Sequence, residues 1–136
     1  MIVGGEAVIY HGHLRLTGDT DYFYELSPQN SRKLFVSLME FWGGQVPGLA
    51  SAEELLTEGL IVQFGVPPNR LDLLNRIDGV SFADAWENRV EESITTDSGA
   101  ISVAFIGLKE LIRNKAASGR PRDQEDLFFL KSKLDL

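Results

Sequence analysis

The sequence contains no cysteine, which excludes disulfides, zinc–thiolate sites and a thiol nucleophile. Its only histidines, His11 and His13, are near neighbours, so a zinc site built from several dispersed histidines is excluded as well. Any metal site should therefore consist of oxygen ligands. We interpret both histidines as structural, with His11 closing a turn at Gly12 and His13 exposed.

Positive charge is also scarce, because 13 Lys and Arg residues stand against 20 Asp and Glu, a net charge of −7. This balance has the wrong sign for a protein that binds nucleic acid nonspecifically by neutralising phosphates, although a local basic strip stays compatible with it. The sequence lacks an apolar run long enough to span a membrane and lacks a cationic leader. We therefore expect no membrane segment and a cytoplasmic location.

The remaining composition is that of a globular protein. With 136 residues, 43% of them hydrophobic and 24% charged, the chain is long enough for one core, so we expect a single domain over residues 1–136. The 5 prolines and 13 glycines do not suit a disordered or fibrous chain.

Hydrophobic periodicity predicts strands and helices that are interspersed, with several hairpins, as is typical of an α+β (mixed α/β) fold. The predicted strands cover residues 1–3, 20–26, 60–66, 70–77, 90–95 and 101–106. The predicted helices cover residues 6–10, 28–42, 108–117 and 121–134, with shorter helical segments after Ser51 and Ser81.

Carboxylates on strands are the most informative feature. Asp19 and Asp21 are two positions apart, so both project from one face of their strand, with α-carbons roughly 6.5 Å apart. Their charges repel unless a cation lies between them; the alternative is a solvated strand end. Asp72 lies in a stretch apolar enough to be buried on both faces, where a carboxylate needs a partner. That partner is either Arg70, Arg76 or a metal ion.

Two further observations connect these acids to phosphate chemistry. Three carboxylates on adjacent strands would form an all-oxygen ligand set suited to Mg²⁺. Gly4 and Gly5 stand at a predicted strand-to-helix turn, where the absence of side chains allows a phosphate to approach the backbone. The alternative interpretation of this glycine pair is an ordinary tight turn.

The chain resembles the nucleotidyltransferase superfamily in a spaced pattern. Val3-Gly4-Gly5 is followed, after a spacer of thirteen residues, by Asp19-Thr20-Asp21, and Asp72 comes later on another predicted strand. The segments 66–74 and 119–123 resemble, more narrowly, a small bacterial branch that is similar to the nucleotidyltransferase toxins of abortive-infection toxin–antitoxin systems.

The resemblance implies a mixed sheet flanked by helices and two Mg²⁺ ions held by Asp19 and Asp21. Asp72 would complete one metal site and help to activate the attacking hydroxyl, and Gly4 and Gly5 would contact phosphate. The implied reaction moves a nucleoside monophosphate from an NTP to a hydroxyl of a protein or RNA. The alternatives are a noncatalytic interaction or nucleotide-sensing protein of this fold, and a kinase-like phosphotransferase.

Lys115 shares the apolar stripe of its predicted helix with Leu108 and Leu111. Its side chain either snorkels to solvent or, as the resemblance implies, points toward the triphosphate. Asp123 either pairs with Lys115 or Arg120, or favours the positive end of its own helix, which is the interpretation that we prefer.

The sequence departs from the family at its start, because relatives generally have a helix before Val-Gly-Gly and here Met1 stands two residues ahead of Val3. We therefore expect that an N-terminal helix is missing and that a homodimer buries the apolar patch left uncovered. An antitoxin-like protein is a further expected partner.

Overall fold

A six-stranded mixed sheet organises the computed structural model, which describes residues 1–135. Across the sheet the strands follow the order β3-β4-β2-β1-β6-β5. The pairs β2–β4 and β1–β6 are parallel, whereas β1–β2, β3–β4 and β5–β6 are antiparallel. The strands are β1 Ile2–Val3, β2 Asp19–Phe23, β3 Ile61–Phe64, β4 Arg70–Leu74, β5 Val90–Thr96 and β6 Gly99–Phe105.

Five α-helices and one 3₁₀ helix, counted within residues 1–135, complete the predicted α+β fold. The α-helices are α1 Gly4–Tyr10, α2 Pro28–Trp42, α3 Phe82–Glu87, α4 Leu108–Ser118 and α5 Pro121–Leu134, and the 3₁₀ helix is Ala52–Leu56. None of them is long and apolar enough to cross a membrane. The long helix α2 follows its sequence signals: the Ser27 hydroxyl accepts a hydrogen bond from the Asn30 amide at 3.1 Å, and Gly43 ends the helix at φ 72°.

Several predicted boundaries were wrong. Strands β3 and β4 are shorter than predicted. Strand β4 ends before Asn75, whose buried side-chain amide donates hydrogen bonds to the Tyr24 hydroxyl and the Thr57 carbonyl, and β3 ends before Gly65, which has a φ of 78°. Helix α1 begins at Gly4 instead of Glu6. A φ of +63° lets Gly4 turn the chain directly from β1 into the helix.

The sheet separates two apolar clusters. One lies against α1, α4 and α5 and includes Val8, Phe23 and Leu111. The other lies beneath α2 and the 3₁₀ helix and includes Leu55 and Leu73. Because side chains alternate along a strand, the sheet face that carries Phe23 in β2 also carries Asp19 and Asp21. The two acids therefore face the layer of α1, α4 and α5.

Candidate active site

The three predicted carboxylates meet on neighbouring strands. In the parallel pair β2–β4, Asp21 lies directly opposite Asp72, and Asp19 lies opposite Arg70. Asp19, Asp21 and Asp72 each offer one carboxylate oxygen, and these three oxygens lie within 4.8 Å of one another. The structure thus brings together acids that are some fifty residues apart in sequence.

Arg70 is the partner of Asp72 that the sequence left open. Its Nη2 lies 2.7 Å from Asp19 Oδ2 and 3.2 Å from Asp72 Oδ2, and its Nε lies 3.0 Å from Asp72 Oδ1. Arg76, the other predicted partner, instead lies near Glu58 at 3.7 Å. One guanidinium therefore bridges two of the three carboxylates.

Asp72 is 6% exposed and receives a second contact that the sequence did not predict. Gln63 of β3 lies opposite it in the antiparallel register, and its Nε2 donates a hydrogen bond to Asp72 Oδ2 at 3.3 Å. Asp72 Oδ1 is buried and, despite its proximity to Arg70 Nε, has no hydrogen-bond partner in the described part of the chain.

Asp21 differs from the other two acids, because within residues 1–135 its carboxylate accepts no hydrogen bond. Burial, together with the negative charges of Asp19 and Asp72, raises the pKa of Asp21 to about 6. This carboxylate is consequently the member of the cluster that most lacks a compensating cation.

The ligand set fits a divalent metal. Three carboxylates supply oxygen donors within a small space, as a hard cation requires. A buried carboxylate oxygen without a hydrogen-bond partner, Asp72 Oδ1, is costly unless a cation or donor reaches it. Asp19, Asp21 and Asp72 are the residues that would hold the ion.

The metal-free protein should become more stable when Asp21 is replaced by asparagine. A carboxyl whose pKa is raised in the fold stabilises it below the ordinary value of 3.8, and that stabilisation is lost as the pH rises through about 6. In EDTA at about pH 7.5 the gain in the free energy of unfolding should be about 1–2 kcal/mol, after allowance for solvent screening. It should vanish near pH 4. Urea denaturation across this range measures the difference, and a gain independent of pH would contradict the assignment.

Gly4 and Gly5 allow the backbone to lie against the acids. A Cβ atom at Gly4 would overlap Asp21 Oδ2, and one at Gly5 would lie 2.6 Å from Thr17 Oγ1. The glycine pair is therefore more than a tight turn, because no larger residue leaves the Asp21 carboxylate where it is.

Replacing Gly4 with alanine should displace that carboxylate. We expect a loss of about 1–2 kcal/mol in stability from the positive φ, and at least about a tenfold loss in divalent-cation affinity. Gly43→Ala is the matched control, because Gly43 also has a positive φ, of 72°, but nothing within 4 Å of the added carbon. Equal metal affinities for the two variants, measured by calorimetry, would contradict this role of Gly4.

One interpretation predicted that the Lys115 side chain snorkels to solvent, and the structure shows that it does not. It is 4% exposed, and its Nζ lies 2.7 Å from Asp123 Oδ1 and 3.1 Å from Asp126 Oδ2. Asp123 lies in the first turn of α5, as the preferred interpretation expected, and it also pairs with both Lys115 and Arg120 and accepts a hydrogen bond from Ser118. Although burial opposes it, these three donors lower the pKa of Asp123 to about 2.

Lys115, Asp123 and Arg120 belong to a buried charge network that also contains Arg15, Asp126 and His13. Sequence reasoning missed these last three members. Arg15 contacts Asp126 with two nitrogens, at 2.8 and 3.0 Å. His13, predicted to be exposed, is partly buried between Asp126, 3.7 Å away, and the ring of Phe129. The available signal was the spacing of Asp123 and Asp126, which puts both acids on one face of α5 with its apolar residues.

A cleft of about 150 Å³ separates the acids from this network. Its lining combines glycine backbone, a threonine, three acids and four cations: Gly4, Gly5, Arg15, Thr17, Asp19, Asp21, Lys115, Arg120, Arg122 and Asp123. A larger cavity, of about 510 Å³, lies beside Met1 and Trp86, but Glu25 is the one carboxylate in its lining. The smaller cleft is therefore the place where two acids of the cluster and several cationic side chains line one space.

Comparison with known protein families gives a match that covers nearly the whole chain. A protein-family model described as "Nucleotidyltransferase of unknown function (DUF6036)" matches residues 1–132. Searches of curated proteins and of solved structures found no match.

Proposed function

Since this chain belongs to the family of nucleotidyltransferases of unknown function DUF6036, we propose that it moves a nucleoside monophosphate from an NTP to a hydroxyl group of a protein or RNA, with Mg²⁺. The observation that carries the proposal is the cluster of Asp19, Asp21 and Asp72, whose oxygens lie within 4.8 Å of one another beside a cation-lined cleft. Divalent ions bound there would stabilise the entering and leaving oxygens of an in-line phosphoryl displacement.

The opposite wall of the cleft supports binding of the triphosphate. Arg15, Lys115 and Arg120 outnumber the carboxylates Asp123 and Asp126 that they contact, so the network carries net positive charge. Lys115 is held at the cleft by these contacts, and the Arg120 side chain, which contacts Asp123 through Nε, is 73% exposed and thus accessible to a ligand. Backbone at Gly4 and Gly5, which also lines the cleft, would contact a phosphate there.

The volume of the cleft also supports binding of the triphosphate part of the nucleotide. About 150 Å³ is smaller than a typical pocket for a complete small-molecule ligand, roughly 300 Å³ or more. The cleft would enclose the phosphates and leave the base and ribose on the surface. Selection among the four bases would then depend on residues outside the cleft.

In the proposed reaction the acceptor oxygen forms a bond to the α-phosphorus while the bond to the pyrophosphate oxygen breaks. Asp72 would accept the proton of the acceptor hydroxyl. Its position directly opposite Asp21 in the β2–β4 pairing supports this role, because it places the Asp72 carboxylate within the cluster that would hold the metal.

Labelled nucleotides test the reaction class. With Mg²⁺ and an acceptor fraction, label at the α-phosphate should appear on the acceptor and pyrophosphate should be released. Label transferred from the γ-phosphate, with release of NDP, would replace this proposal by the kinase-like alternative.

One observation favours the noncatalytic alternative, a nucleotide-sensing or interaction protein. Arg70 already neutralises part of the acidic cluster without any metal. Such a protein would lack Mg²⁺-dependent nucleotide affinity, and neither α- nor γ-label would reach any acceptor.

The homodimer and the antitoxin-like partner stay predictions. Apolar side chains that reach the surface of α2 support a contact with another chain, and Phe41, for example, is 70% exposed. Light scattering at tens of micromolar should give a mass of about twice 15.1 kDa. A monomer mass would contradict the homodimer and leave the proposed reaction unaffected.

A further inference from the structure

The guanidinium of Arg70 lies against two of the three carboxylates that would hold a divalent cation. Its nitrogens lie 2.7 Å from Asp19 Oδ2, 3.2 Å from Asp72 Oδ2 and 3.0 Å from Asp72 Oδ1. Three of the four oxygens of these two carboxylates therefore have a cationic nitrogen within contact distance. The same two carboxylates belong to the ligand set for a metal.

The contacts are not those of a fully satisfied ion pair. Both Arg70 Nε and Asp72 Oδ1 are buried without a hydrogen-bond partner in the described residues, although they are close to each other. Asp72 as a whole is 94% buried, given its exposure of 6%. The buried oxygen therefore points to a ligand other than Arg70, since a poorly aligned contact compensates little of the cost of burying a charge.

Arg70 lies on the same sheet face as the acids that it contacts. Arg70 and Asp19 lie opposite each other in the β2–β4 register, and Asp72 is two residues along the same strand face. The guanidinium thus lies on the face that carries the acids, where it holds Asp19 and Asp72 together against their mutual repulsion. A divalent ion that binds Asp19 and Asp72 would compete with it, because both are cations and both are attracted to the same two carboxylates.

We propose that Arg70 is a built-in competitor of the divalent cation, holding Asp19 and Asp72 together in the metal-free protein and leaving them when the ion binds. This inference rests on the proposed function. It makes Arg70 a positioning residue that sets the metal concentration at which the site is loaded.

The test is calorimetric titration of the whole chain with Mn²⁺ alone, without nucleotide. Arg70→Gln should bind Mn²⁺ at least about tenfold more tightly than the wild type, since a charge-assisted contact no longer has to be broken. Arg120→Gln is the matched control: it removes a cation that lines the same cleft but contacts neither Asp19 nor Asp72. Its effect should be less than about threefold, as expected for a screened charge.

A second variant keeps the test decisive if Arg70→Gln does not fold. Arg70→Lys retains the charge but lacks the forked donors that contact two carboxylates at once, so it should tighten Mn²⁺ binding by a smaller factor, about threefold. Unchanged or weaker Mn²⁺ binding in the folded Arg70 variant would overturn the inference. So would an equal gain in Arg120→Gln, because it would reduce the effect to charge acting through space.

The same titration separates this inference from the proposed function. If the wild type binds Mn²⁺ and the Arg70 variants bind it no better, competition is overturned and the metal site stands. If none of the proteins binds Mn²⁺, both are overturned. Mn²⁺ binding that appears only in the Arg70 variants would support competition so strong that Arg70 keeps the ion out of the wild-type site.

Discussion

Asp21→Asn should lower the affinity for a divalent cation by at least about a hundredfold. Loss of an outer-shell partner of a metal ligand typically costs ten- to a hundredfold, and Asp21 is itself a proposed ligand. It is also the acid of the cluster without a hydrogen bond from the described residues, so its charge is uncompensated in the metal-free protein. Calorimetry with Mn²⁺ at about pH 7.5 measures the loss.

Asp97→Asn is the control for this variant, because Asp97 is an exposed acid in the turn between β5 and β6. It removes the same charge and should leave the affinity unchanged. Together with the expected gain in metal-free stability, the loss in Asp21→Asn would identify a residue that is unfavourable for folding and required for binding. An unaltered affinity in Asp21→Asn would remove Asp21 from the metal site.

Lys115→Met should destabilise the protein by about 3–5 kcal/mol. The substitution leaves Asp123 and Asp126, each 1% exposed, without the cation that lies between them. Arg15 and Arg120 still contact one acid each, which limits the loss. For a domain of this size the melting temperature should fall by more than about 10 °C.

Lys109→Met is the matched control on the same helix, because Lys109 is exposed. Surface substitutions of this kind usually change stability by less than about 0.5 kcal/mol. Thermal unfolding of the two variants in parallel gives the comparison. A loss below about 1 kcal/mol in Lys115→Met would mean that the buried network contributes little to the fold.

Local signals predicted most of the secondary structure. Helix α2 has a serine cap, a proline in its first turn and a glycine at its end, so its bounds follow from short-range chemistry. The boundaries of β3 and β4 could not be predicted in the same way. The end of β4 adjoins Asn75, whose partners Tyr24 and Thr57 come from distant segments, and the bounds of β3 follow from its pairing with β4.

The acidic half of the site was predictable, and its surroundings were only partly so. Alternation along β2 places Asp19 and Asp21 on one face, and the apolar neighbours of Asp72 indicate that it is buried near a partner. The choice of Arg70 over Arg76 depends on strand register, which a single sequence leaves open. Gln63 reaches Asp72 through the same long-range pairing.

The cationic half shows why burial of charge is difficult to predict. Lys115 on an apolar stripe suggested either snorkelling or a ligand contact, because a buried lysine alone would be costly. Two acids from α5 remove that cost, and they reach Lys115 through packing of α4 on α5. Pairing between helices is a property of the tertiary structure, which the periodicity of one helix does not contain.

Titration of the purified protein with each of the four NTPs, with and without Mg²⁺, is the most direct test of the central claim that the acidic cleft is a metal-dependent nucleotide site. We expect saturable binding of at least one NTP that requires Mg²⁺ and is lost in Asp21→Asn. Absence of binding for all four NTPs in the presence of Mg²⁺, or binding of equal affinity without the metal, would contradict the account.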